Sequence, residues 1–413
     1  MPLPSRGRPA DEVLDELRGL SAHDVRWREG RVFSLAYSAG PDVHRIAGEA
    51  LALYATENGL NTAAFPSLRR IQDDVVGMVA EWVSAPEGAA GVLTTGGTES
   101  LLMAVKAARE FGRRTRSVST PNVVMPTSAH AAFEKGCHYF GVESRRVDVG
   151  ADWRADVDAM AEAIDDDTVM LVASAPQYPQ GVIDDVGAVA ALAARHGINC
   201  HVDACMGGVT LPYLERLGYP IPPWDFRHEG VTSISVDLHK YGYSAKGASV
   251  IVHRDKRRRA DQAFVTENWL GGLYGSPAVL GTKSGGPWAA AWAVMQYLGD
   301  DGYLRLARTA REATERLVAA IRSTPGLVLR AEPDSTLVAF GTVEGIDAFA
   351  VADVLAERGW YVDRQGPPAS LHCTVNAVHE HRIEQFAADL RTAVETVAAS
   401  SASGEATAYG TVD

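Results

Sequence analysis

Between Val92 and His253 short apolar runs alternate with amphipathic stretches, and that alternation restricts the chain to one class of architecture. Residues 92–95, 123–126, 169–174, 199–203, 233–237 and 248–253 read as strands, and residues 99–111, 130–140, 157–164 and 186–196 as helices. Strands and helices in this order predict an α/β fold with a mostly parallel sheet wrapped by helices. Upstream, a helix is expected over 46–54. A second covers 68–83, with Leu68, Ile71, Val75, Val76, Val79 and Val83 on one buried face. Beyond Gly299-Asp300-Asp301-Gly302 a long helix leads into a smaller α/β domain with strands near 327–330, 337–340 and 371–376. The expected organisation is an N-terminal segment, 1–65, a large domain, 66–294, a small C-terminal domain, 295–397, and a disordered polar tail, 398–413.

Four features fall at strand ends on one edge of this sheet, where open α/β sheets bind ligands: Gly97-Thr98, His130, Asp203 and His239-Lys240. Lys240 is the residue to explain. A lysine at the end of a core strand either snorkels to water, pairs with an anion, or loses its proton and becomes a nucleophile able to form a Schiff base. Gly96-Gly97-Thr98 between a strand and a helix puts free backbone N–H groups and a positive helix end in one place, although Thr98 serves equally well as a helix N-cap. Asp203 also suits a turn cap and His130 a helix start. Together they suit pyridoxal 5′-phosphate, which needs a lysine for its aldehyde, a carboxylate for its pyridine nitrogen and a helix N-terminus for its phosphate. His130 is placed to stack on the ring, and Ser235 and His239 to help hold the phosphate. No GxGxxG or Walker A pattern occurs at a strand–helix turn, which removes the main support for dinucleotide or NTP binding.

The formal net charge of −13 argues against a nucleic-acid binder. The one basic run, Arg254 to Arg259, reads as a solvated surface after a strand. No apolar segment approaches the roughly 20 residues of a membrane helix, and the polar N-terminus lacks a signal-peptide core. The four cysteines have no CxxC spacing and suit free thiols in a reducing cytoplasm. His372, His379 and His381 lack the acidic partner and spacing of a metal site, so no metal is expected.

Six segments carry a family resemblance: Thr95-Gly-Gly-Thr-Glu-Ser100, Ser128-Ala-His-Ala-Ala-Phe133, Ala175-Pro-Gln-Tyr-Pro-Gln-Gly181, His201-Val-Asp-Ala-Cys-Met-Gly-Gly208, Asp237-Leu-His-Lys-Tyr-Gly-Tyr243 and Gly271-Gly-Leu-Tyr-Gly-Ser-Pro277. In the same order along the chain they resemble the sphingosine-1-phosphate lyase family, in the group II decarboxylase-like branch of the fold-type I pyridoxal-phosphate enzymes. The resemblance runs from about Gly30 to His379. It implies the aspartate-aminotransferase fold, with a large seven-stranded-type sheet, and a homodimer with active sites shared at the interface, to which segment 1–65 contributes. Lys240 would hold the cofactor, Asp203 pair with its pyridine nitrogen and His130 stack on its ring. Gly97, Thr98, Ser235 and His239 would hold the phosphate, with Gly281 and Thr282 supplied by the other subunit. The family's substrate-phosphate tyrosine matches Tyr37 and its second lysine Lys246, and Tyr178 would act on substrate hydroxyls.

Two positions depart from the family pattern. Asn61 stands where the family has a histidine, and Lys283 where it has an arginine, so a chargeable ring becomes a neutral amide and a planar fork a point charge. The expected reaction is retro-aldol cleavage of the C2–C3 bond of a phosphorylated amino alcohol, to an aldehyde and phosphoethanolamine. Its base would be Tyr178, the freed Lys240 or the cofactor phosphate. The competing expectation is an L-amino-acid decarboxylase, which asks for the same electron sink. Aminotransfer lacks a C-terminal arginine clamp, since residues 371–376 read Leu-His-Cys-Thr-Val-Asn. A catalytically idle binding protein on this fold would have no use for Lys240, Asp203 and His130 together.

Overall fold

The computed structural model describes residues 2–400, 402–406 and 410. Among these, seven strands build one sheet: β1 (Ala90–Thr94), β2 (Asn122–Pro126), β3 (Glu143–Val147), β4 (Thr168–Ser174), β5 (Asn199–Asp203), β6 (Ser233–Asp237) and β7 (Ser249–His253). Their order is β1-β7-β6-β5-β4-β2-β3. All neighbours run parallel except β7, which is antiparallel to both β1 and β6. β4, Thr-Val-Met-Leu-Val-Ala-Ser, is buried along its whole length. A central strand covered by helices on both faces needs apolar side chains in both directions, which is why it reads as a continuous run.

β3 went unread in the sequence because Glu-Ser-Arg-Arg-Val is an edge strand. Its charges face outward, Arg145 pairing with Glu143 and Asp165 and Arg146 with Glu134. A short hairpin, β8 (Phe264–Thr266) with β9 (Tyr274–Ser276), follows the large sheet. Four antiparallel strands form the second sheet, in the order β10-β11-β13-β12: β10 (Leu327–Leu329), β11 (Leu337–Thr342), β12 (Asp363–Gln365) and β13 (Ser370–Thr374).

The link between the sheets is the helix Gly286–Ser323, which starts well before the expected 299–302 and spans the expected boundary at 294/295. Gly299 interrupts it with φ 60°, a conformation glycine adopts without penalty, and that break is what the sequence presented as a start. Two apolar cores flank this helix. One surrounds Trp224, Trp288 and the large sheet; the other gathers Phe33, Phe340, Trp360 and Phe386 around the small one. Residues 32–33 pair with Tyr361 and Thr374, so the N-terminal segment threads through the small-sheet core.

The basic run is not simply solvated surface. Arg254 donates to the carbonyls of Phe226, His228 and Val231, and Arg258 donates to Asn199 while its guanidinium lies 4.6 Å from the Phe111 ring. Arg254 is thus spent on loop carbonyls, and Arg258 on the side-chain carbonyl of a β5 residue. In the tail, Gly404 and Glu405 hydrogen-bond to Asp347 and Arg364; residues 401, 407–409 and 411–413 of the expected disordered segment lie outside the described residues. No helix among the described residues is long and apolar enough to cross a membrane.

Candidate active site

The carboxyl edge of the large sheet opens onto a cavity of ≈ 540 Å³ whose walls include Gly97, Thr98, His130, Asp203, His239 and Lys240. β1 turns into the helix Gly97–Arg116 through Gly96. A Cβ on Gly97 would stand 2.6 Å from Asp237 Oδ2 and 3.0 Å from Cys205 Sγ, so only glycine lets the helix start press against the ends of β5 and β6. Gly96 occupies the N-cap and no side chain caps the helix, so Thr98 is not its N-cap; the unsatisfied first-turn N–H groups and positive helix end stand at the cavity wall. Glu99, in the same turn, accepts from the Thr95 N–H and hydroxyl through Oε2 and from the Val279 and Leu280 N–H groups through Oε1. It thereby ties the 279–280 loop to the wall.

Asp203 ends β5, and the Cys205 N–H holds its Oδ1 at 3.1 Å. Ser235, expected at the phosphate, sits instead beneath Asp203, two residues short of the end of β6. Its hydroxyl is fully buried, 3.4 Å from Asp203 Oδ1 and within 3.3 Å of both Cys205 Sγ and His201 Nε2. The Lys240 amine lies 2.9 Å from Asp237 Oδ2. Burial pushes the Asp237 carboxyl up, but the charges of Lys240 and His239 and hydrogen bonds from Ser249 and Lys240 outweigh it and hold the group down at about 2.

His130 accepts the Ala132 N–H at Nδ1, and burial pushes its pKa down against the opposing pull of Asp203. The ring is therefore neutral, with its proton on Nε2. His239 points Nδ1 at the Ala248 carbonyl, 2.9 Å away, and burial likewise lowers its pKa. Tyr178 lines the cavity, donates its hydroxyl to Asp363 Oδ2 and stacks on His372 at 4.2 Å.

Lys246 also lines the cavity, its amine 5.1 Å from the Tyr37 ring centroid and 3.3 Å from the His239 carbonyl. Surrounding protein and the Lys240 charge lower its pKa to about 8, although the residue is exposed at the mouth. Tyr37 stands just behind the wall, with its hydroxyl 3.8 Å from the sulfur of Met206, which does line the cavity.

Asn61, Gly281, Thr282 and Lys283 do not line this cavity. Asn61 accepts the Ala63 and Ala64 N–H groups ahead of the helix Pro66–Trp82, a local turn role that an amide performs and a charge does not require. Lys283 is buried with its amine 5.5 Å from the Trp288 ring, and burial lowers its pKa. The Asn58 amide reaches the Thr282 hydroxyl and the Gly59 N–H the Lys283 carbonyl, so segments 58–61 and 281–285 form one unit, exposed at Asn61, Thr282 and Ser284 and buried at Gly59 and Lys283.

Sequence reasoning missed Asp237 as a partner of Lys240, although its i,i+3 spacing is visible. It also missed Lys135 and Tyr139, a helical i,i+4 pair at the mouth. Among the described residues no cluster of three or more His, Cys, Asp or Glu could hold a metal.

A lysine amine, an oriented carboxylate, a neutral imidazole and an open helix N-terminus in one cavity are the donors that the aldehyde, pyridine nitrogen, ring face and phosphate of pyridoxal phosphate require. Residues 2–343 match the pyridoxal-dependent decarboxylase conserved domain. The chain is 37% identical to the sphingosine-1-phosphate lyase of Oryza sativa, over 97% of this chain and 76% of that protein, and 38% identical to that of Arabidopsis thaliana, over 94% and 72%. The solved structure of the sphingosine-1-phosphate lyase of Burkholderia pseudomallei superposes with a TM-score of 0.93 at 38% identity, covering 97% of this chain and 93% of that one.

Proposed function

Because the chain belongs to the pyridoxal-dependent decarboxylase family, and within it to the sphingosine-1-phosphate lyases, we propose that it is a pyridoxal-phosphate-dependent aldehyde-lyase. Its substrate is a phosphorylated long-chain amino alcohol, cleaved between C2 and C3 to an aldehyde and phosphoethanolamine. The observation that carries this reading is Lys246 on the wall of the cavity that holds Lys240 and Asp203, with its amine over the ring of Tyr37 just behind that wall. An ammonium beside a phenol is a receptor for a phosphate on the substrate, and a decarboxylase acting on a plain amino acid would give that pair nothing to bind.

Each residue then has a task. Lys240 holds the cofactor aldehyde, Asp203 keeps the pyridine nitrogen protonated, neutral His130 packs on the ring, and Gly97, Thr98 and His239 receive the cofactor phosphate. When bound, pyridoxal phosphate supplies the electron sink for the pair released by C2–C3 cleavage. Tyr178 takes the proton of the C3 hydroxyl, and Lys246 and Tyr37 anchor the far phosphate so that C3 stands against Tyr178.

We further propose that the working form is a homodimer. Phe264, Val265, Trp269, Leu270 and Leu273 are all exposed around the hairpin β8–β9, a contiguous stretch of chain that a second subunit would cover. The adjoining unit of Asn61, Gly281, Thr282 and Lys283 would then serve the neighbouring cavity. Four buried free thiols suit a reducing cytoplasm.

Comparing kcat/KM for a long-chain amino alcohol with and without its phosphate tests the substrate assignment. A fall of about 10²-fold or more without phosphate is expected from the loss of charge-assisted hydrogen bonds. Equal efficiency for the two contradicts it.

A further inference from the structure

The cavity tyrosine is held by the small sheet. Tyr178 donates its hydroxyl to Asp363 Oδ2, while Ser34, from the N-terminal segment, donates to Oδ1 of the same carboxylate at 2.8 Å. Asp363 opens β12 and faces His372 across the β12–β13 pair, and the His372 ring stacks on the Tyr178 ring at 4.2 Å and 30°. His372 is itself fixed, with Nε2 3.0 Å from the Thr374 hydroxyl and Nδ1 3.3 Å from the Pro179 carbonyl, and burial holds its pKa down at about 4. A neutral ring therefore sets the plane of the phenol and a carboxylate sets its rotation.

Resting on the assignment of Tyr178 as the group that meets the C3 hydroxyl, we infer that Asp363 is a positioning residue that orients the Tyr178 phenol and takes its proton as the substrate hydroxyl gives up its own. A phenol whose hydrogen is committed to a carboxylate turns its oxygen lone pairs elsewhere, so it meets the substrate hydroxyl as an acceptor. As the C3 hydroxyl O–H breaks, a new O–H forms on Tyr178, whose original proton passes to Asp363 Oδ2. The C3–O bond becomes a carbonyl, the C2–C3 bond breaks, and its electron pair stays on the C2 fragment. The negative charge thus moves from Asp363 to that fragment, and no further reactant is needed. Since β12 belongs to the small sheet, the base is complete only when the two sheets are docked as seen here.

The groups that face Asp363 are Ser34, Tyr178, His372 and Cys373 from the packed elements, with Arg364 next to it on its own strand and Tyr361 two residues before that strand begins. None of these replaces the contact to the phenol.

The test is a double-mutant cycle on the cofactor-loaded enzyme with Asp363→Asn, Tyr178→Phe and the pair, on a substrate that the unaltered enzyme is first shown to cleave. Asp363→Asn should lower kcat about 10²-fold with KM little changed, and should add no further loss to Tyr178→Phe. In the cofactor-free protein, ring-labelled tyrosine NMR should show the Tyr178 phenol titrating at lower pH once the carboxylate is gone. Independent, multiplying losses, an unchanged kcat in Asp363→Asn, or a Tyr178 titration that does not move in that variant would overturn the inference. If the unaltered enzyme cleaves no phosphorylated amino alcohol, the functional reading fails instead, and the NMR titration still decides the Asp363–Tyr178 contact.

Discussion

The Lys240 amine lies 2.9 Å from the carboxylate of Asp237, which ends β6 three residues earlier. Asp237 is almost wholly buried, so this pair sets a positive charge against a carboxylate that has little access to water. Removing one partner of a buried pair is far costlier than the pair itself is worth. Lys240 is about one-fifth exposed, which moderates the effect.

For Asp237→Asn we therefore expect a loss of about 2–3 kcal/mol in the urea unfolding of the cofactor-free protein. The sign of the pH dependence follows from the depressed carboxyl. The folded group titrates at about 2 and the unfolded one near 3.9, so its stabilisation is complete above the unfolded value and disappears as pH falls toward 2. The variant should lack that part of the acid destabilisation. An unchanged unfolding midpoint contradicts the pairing.

Lys246 makes binding pH-dependent on the alkaline side. Its pKa is lowered to about 8, so it is charged below that pH and loses its charge above it. KM for a phosphorylated substrate should rise as pH passes about 8. Lys246→Arg should keep KM flat to higher pH, and Lys246→Ala should raise KM about 10–100-fold at neutral pH while removing the alkaline limb. Steady-state kinetics between neutral and alkaline pH checks all three.

Gly97 has no room for a side chain. In Gly97→Ala the added methyl would meet Asp237 and Cys205, and either the helix start or the strand ends must shift. Overpacking of this kind costs about 1–3 kcal/mol, so cofactor affinity should fall about 10–100-fold. Absorbance titration of the cofactor-free protein measures it, and wild-type affinity would show that the turn has slack.

What was legible in the sequence is what local pattern encodes. β4 was readable because a buried central strand is apolar almost throughout, while β5 and β6 carry buried polar residues and were readable from the β-branched and small residues between them; Asp203 stood out because it ends β5 and Lys240 because it follows the end of β6. β3 was not readable, since an exposed edge strand carries charges like any loop. Ser235 was misjudged because a one-dimensional reading places it near the cofactor lysine, whereas the inward pleat of β6 buries its hydroxyl under Asp203. Asp363 could not be found by pattern: it lies 185 residues from Tyr178, and only the docking of the small sheet brings them together. Asn61 and Lys283 looked like substrate contacts, yet they lie apart from this chain's own cavity.

The most direct test of the central claim is mass spectrometry of the products formed when cofactor-loaded enzyme is incubated with a phosphorylated long-chain amino alcohol. The account predicts one aldehyde and one phosphoethanolamine per substrate consumed, with none from Lys240→Ala. Intact substrate alongside cofactor demonstrably bound to Lys240, or equal turnover by Lys240→Ala, would contradict it.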